Sequence, residues 1–142
     1  MAAWLLYALL SAIMAAFVAI LGKIGLQELD ANTATAVRAV VMALFLIGVV
    51  IYQGKLELVS TVIANKKALL FIVLSGVAGA LSWLFYFLAI KHGEVSKVAP
   101  IDKLSVVFAV VLAVILFGEK LSALSTLGVI MIAAGSLFVA LG

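Results

Sequence analysis

Residues 98–117 read VAPIDKLSVVFAVVLAVILF, and this stretch decides the fold. From Leu104 to Phe117 every residue except Ser105 is apolar. With the residues ahead of it, the run reaches the ~20 residues a helix needs to cross hydrocarbon. Just before it lie Pro100, the chain's only proline, and the adjacent charges Asp102 and Lys103. A charge inside a membrane span is costly and faces a bundle interior, a partner or water. Proline removes a backbone donor and favours a turn or kink. The segment therefore predicts a membrane helix with a polar, irregular start.

Working outward, the whole chain has this character: of 142 residues, 68% are hydrophobic and 11% charged. One core of a domain this small could not hide that much apolar surface from water. Five apolar runs follow one another, at approximately 3–21, 33–52, 68–90, 98–117 and 123–141. Backbone polar groups in lipid must be satisfied internally, so helices are the expected spanning form. The alternation of a membrane β-barrel strand is absent. The predicted fold class is all-α, an integral membrane bundle of five transmembrane helices forming a single domain over residues 1–142. Met1-Ala2-Ala3-Trp4 lacks the basic start of a secretory signal, so the first run is expected to be a true span.

The connectors, Gly22–Asn32, Gln53–Lys67, Lys91–Lys97 and Gly118–Ser122, are expected to be short polar loops. Asp30 to Thr33 and Ser122 supply N-caps for the second and fifth helices. Lys91-His92-Gly93 supplies the end of the third, with basic residues on the dipole and a glycine to stop it. Small residues recur at packing spacing: Ser11, Ala15 and Ala19; Ala8, Ala12 and Ala16; Ser75 and Gly79; Ser105, Ala109 and Ala113; Gly128 and Gly135. Such stripes let helix backbones approach in lipid.

Several functions are disfavoured. No cysteine excludes thiolate chemistry and cysteine metal sites, and a single histidine, His92, disfavours a histidine-based metal site within one chain. A net charge of +3 is dispersed at span ends rather than gathered with aromatics, so nucleic acid is not an expected partner. Phosphate loops and the HExxH and GxSxG motifs are missing. Neither an enzyme nor a cofactor is expected.

Five spans put the termini on opposite sides. Lys55, Lys66, Lys67 and Lys120 fall on the N-terminal side, and Lys23, Lys91 and Lys97 on the other. The charge bias that orients membrane proteins is therefore weak, which permits insertion both ways and an antiparallel pair of copies. Depth along the helices brings polar residues together. Arg38 lies about 7 Å in from one side, Asp102 and Lys103 about 6–8 Å, Tyr86 about 6 Å and Trp83 about 10 Å, all from that same side. Ser105 stands beside Asp102 at helical spacing. Lys103 is about a quarter-turn from Asp102, so Arg38 is the expected partner of Asp102, leaving Lys103 to snorkel or meet an anionic substrate. A carboxylate that gains and loses a basic partner suits proton coupling. Glu119, at the far end of the same span, is a candidate gate or helix-terminus contact.

These residues resemble a known family. Ala99-Pro100, the long apolar run, Leu116-Phe117-Gly118-Glu119-Lys120-Leu121, Gly128 and Gly135 are similar to the second half of an EamA domain of the drug/metabolite transporter superfamily. Gly22-Lys23-Ile24-Gly25-Leu26, Arg38 and Trp83-Leu84-Phe85-Tyr86-Phe87-Leu88-Ala89-Ile90 match earlier positions. The resemblance implies a single-domain, five-span member, half of the usual ten-helix transporter, in which a second copy supplies the missing half. It also implies a central cavity lined mainly by the first four helices. Small multidrug-resistance members of the superfamily use a glutamate in the first helix, whereas Ala3–Leu21 has no acidic residue. That departure leaves Asp102 as the nearest acidic substitute.

The expected function is a multi-pass transporter of the cell (inner) membrane, an exporter or exchanger of a small metabolite. It works as a homodimer in contact with membrane lipids, by alternating access. Its expected site is Asp102, Lys103, Arg38, Trp83, Tyr86 and Ser105, with Pro100 and Glu119 as gating or helix-terminus residues. The alternatives are a lipid-carrier flippase subunit and a non-transporting membrane scaffold or assembly protein.

Overall fold

A computed structural model describes residues 3–142, and every regular element among them is an α-helix. In chain order these are α1 (Ala3–Gly25), α2 (Ala31–Tyr52), α3 (Glu57–Ala64), α4 (Lys66–His92), α5 (Val95–Asp102), α6 (Leu104–Phe117) and α7 (Ala123–Leu141). Five stretches are long and apolar enough to cross a membrane: α1, α2, α4, the α5–α6 pair taken together, and α7. Each contains one predicted run and extends it by up to about one turn. At 27 residues α4 is the longest, and a rise of 1.5 Å per residue makes it about 40 Å long. That exceeds the hydrocarbon thickness, and the surplus carries Lys66 and Lys67 at one end and Lys91 and His92 at the other.

Helix ends form where local chemistry dictates. Asp30 caps α2, its side chain accepting from the Thr33 N–H and the Thr33 hydroxyl, both at 2.8 Å. Ser122 caps α7 by accepting from the Ser125 N–H at 3.0 Å. Before α4, the Asn65 side chain accepts from the Ala68 N–H at 3.1 Å. Gly118 ends α6 with φ +66°, a left-handed conformation that a side chain would strain.

One connector differs from expectation. Gln53–Lys67 is not a plain polar loop but contains α3, because Leu58, Val59, Val62 and Ile63 recur among polar residues at helical spacing. Eight residues are too few to span lipid, and those four side chains are exposed.

The chain forms two compact units, one comprising the residues up to Lys23 with Ala89–Gly142, the other Ile24–Leu88. In the first, α7 packs against both α5 and α6. The better-covered stripe of α7 runs through Val129, Ala133, Ser136 and Ala140, and Ser136 is buried. Gly135 falls outside it, and a Cβ added at Gly79, Gly128 or Gly135 would meet nothing within 4 Å. The close approach expected at these glycines is thus absent within the described residues. Close approach occurs instead at Gly93, where an added Cβ would lie 3.1 Å from both the Ala89 carbonyl oxygen and Val98 Cγ2. In the second unit Leu26, Ala31, Thr35 and Phe87 are buried, and the Thr35 hydroxyl donates back to the Ala31 carbonyl at 2.6 Å.

Elsewhere the helices present apolar side chains outward, as with Phe45 at 71% exposure and Phe117 at 78%. A water-soluble surface does not carry such continuous apolar cover, whereas lipid solvates it without penalty.

Candidate functional site

In the second unit, Arg38 stands in the second turn of α2, and Trp83 and Phe87 lie four residues apart on α4. That spacing stacks the two rings on one helix face. The Arg38 guanidinium carbon sits 3.7 Å from the centre of the Trp83 ring and 4.3 Å from that of Phe87. Tyr86 meets Phe87 edge-on, with ring centres 5.7 Å apart at 78°. Phe87 is 2% exposed, so its ring is a fixed wall.

Aromatic faces attract a desolvated cation by on the order of 2 kcal/mol. That is comparable to the ~2.5–3.5 kcal/mol cost of an arginine at mid-membrane on insertion scales. The rings can therefore carry the charge, but they leave the directional N–H donors without conventional acceptors. Arg38 Nε and Nη2 are buried and have no hydrogen-bond partner among the described residues.

In the first unit, the fourth apolar span, residues 98–117, is interrupted. Pro100 lies inside α5, past its first turn, where its missing N–H deprives the Ser96 carbonyl of the usual helical donor. The Pro100 carbonyl accepts from the Lys103 N–H at 3.1 Å, a three-residue closure that tightens the turn, and α6 begins at Leu104. At this joint Lys103 Nζ lies 3.3 Å from the Asp102 carboxylate, with the side chains 54% and 33% exposed. The expectation that Lys103 would leave Asp102 to another partner is corrected here. Neighbours in sequence do not face each other on a regular helix, but the tightened joint and the long lysine stem let these two meet. Ser105 is exposed in the first turn of α6, and Glu119 is exposed just beyond Gly118; neither joins the Asp102–Lys103 pair among the described residues.

The structure thus brings together Arg38 with Trp83, and Asp102 with Lys103, in separate units. Two contributors escaped the sequence reading. Phe87 was hidden in an aromatic-rich run, although its spacing from Trp83 was the available signal. Lys23, in sequence a flanking charge, donates from Nζ to the carbonyls of Ile90 and, at 3.0 Å, of Gly93. It satisfies carbonyls that the end of α4 leaves without helical donors, and its charge complements the helix dipole.

Five apolar spans, one of them broken at a charged joint, define a multi-pass helical membrane protein. The chain belongs to the EamA-like transporter family, which it matches over residues 2–141. It is also similar to a protein of Sinorhizobium sp. named as an uncharacterized transporter in the cobO 3′ region, with 40% identity over 137 residues that cover 96% of each chain. No solved structure matches it.

Proposed function

We propose that this membrane transporter is a secondary carrier of the cell (inner) membrane that exports or exchanges a small metabolite by alternating access as a homodimer. The observation that supports this most is the Asp102–Lys103 ion pair at the interruption of the fourth span. Broken helices put polar backbone and charge at membrane depth, where carriers bind solute and coupling ion. In this reading Asp102 is the coupling carboxylate. Arg38, Trp83 and Tyr86 in one unit, and Lys103 and Ser105 in the other, serve substrate binding or coupling, while Pro100 and Glu119 act at the gate or helix terminus. The second copy, inserted in the opposite sense, completes the pathway that longer relatives build from two repeats. The near-equal lysine content of the two sides supports that arrangement.

The test is reconstitution of the purified protein into sealed liposomes holding a pH-sensitive dye, followed by addition of amino acids, carboxylates and amines in turn. A solute-triggered internal pH change that protein-free liposomes lack is the expected result. Silence across the panel, together with no uptake of radiolabelled solute, would favour a scaffold role and overturn this reading.

A further inference from the structure

We infer that Arg38, Trp83 and Phe87 form a receptor for a carboxylate, and that the solute is a small organic anion with an apolar body; this rests on the transporter reading above and names its substrate class. The two unpartnered nitrogens of Arg38 are Nε and Nη2. Their N–H bonds project from one edge of the guanidinium and form the side-on fork that takes both oxygens of a carboxylate. The orphaned donors are thus a matched pair rather than two unrelated defects. The rings of Trp83 and Phe87 hold the guanidinium carbon at 3.7 and 4.3 Å, supplying charge stabilisation without using that fork.

No carboxylate nearby in sequence fills it. Neither α2 nor α4 contains an aspartate or glutamate. Asp30, ahead of α2, is engaged by Thr33, and Asp102 is paired with Lys103. A buried arginine fork whose own helices offer no acid is built to receive one from outside. The surrounding rings match an anion with an apolar body better than a fully hydrated inorganic one. Both donors are out of contact with solvent in this state, so the fork opens in another state of the transport cycle.

Trp83 reports on the site directly. The chain's other tryptophan is Trp4, so a Trp4→Phe background leaves Trp83 as the sole indole. Phenylacetate, its neutral isostere phenylacetamide and inorganic phosphate are titrated into the full chain in lipid nanodiscs at constant ionic strength. Phenylacetate should change Trp83 emission saturably, with the amide weaker by at least about tenfold, as loss of charge-assisted hydrogen bonds implies. Arg38→Lys keeps the charge but lacks the fork, and should weaken phenylacetate by at least about tenfold.

Equal responses to acid and amide, no saturable response, or a stronger response to phosphate would each overturn the inference. So would wild-type affinity in Arg38→Lys. The acid–amide comparison needs no substitution at Arg38, so it stands even if that variant misfolds. Solute-driven flux without carboxylate preference would refute the receptor and leave transport standing. Carboxylate binding without flux of any solute would refute transport and leave the receptor.

Discussion

Lys23 illustrates how one charge near a membrane span can have a structural task. Its ammonium donates to two carbonyls at the end of α4, and hydrogen bonds from charged donors contribute about 1.5–3 kcal/mol each at most. Lys23→Met keeps the stem's packing and removes the donors. It should lower stability by about 2 kcal/mol, read as an earlier unfolding midpoint on titrating denaturant into the detergent-solubilised protein. An unchanged midpoint would show that water or lipid headgroups replace the ammonium at no cost. The role was not legible in sequence, because a lysine beside an apolar run has the same pattern whether it meets water, lipid phosphate or a distant helix end. Arg38 was legible as a buried charge needing compensation, since its depth follows from counting residues. That its compensation is aromatic follows from how α2 and α4 meet, which no single-chain periodicity encodes.

At the scale of the element, the α5–α6 span is the irregular one. Its irregularity follows from one proline and two charges placed before an apolar run, and the sequence pointed to the right place. The position of the break was harder to foresee: it falls at Lys103, after Pro100, where the tightened turn closes on the proline carbonyl. Pro100→Ala restores a donor for the Ser96 carbonyl and removes a cost of about 3 kcal/mol that proline imposes in a helix interior. The amides around Lys103 should then exchange with solvent at least about tenfold more slowly, while solute flux falls because the joint no longer opens. Faster exchange, or full flux with slowed exchange, would contradict a working role for the break. The α3 segment went unread for a different reason. Its eight residues sit between two lysine-bearing stretches, and an apolar spacing as short as that of Leu58, Val59, Val62 and Ile63 does not by itself distinguish a helix from a loop.

For the whole molecule, five spans were legible because the bilayer imposes a minimum apolar length on every one of them, and only hydropathy is needed to count to it. Which small residues pack was not legible, since glycine serves close approach and lipid-facing surface alike. Gly128 is half-buried and Gly135 exposed, and a Cβ at either would meet nothing within 4 Å, while the buried residue of α7 is Ser136. The two charged sites lie in separate units, and the proposed transport cycle links them by giving Arg38 the solute and Asp102 the coupling ion. Of these assignments Asp102 bears the most weight, because it is the acid at the break. The decisive measurement is solute-driven pH change inside dye-loaded proteoliposomes for wild type and Asp102→Asn, across external pH. The variant should insert and fold but lose the coupled signal by at least about tenfold, the scale of removing a single essential proton carrier. A variant with the wild-type rate and the wild-type pH dependence would contradict the coupling role of Asp102.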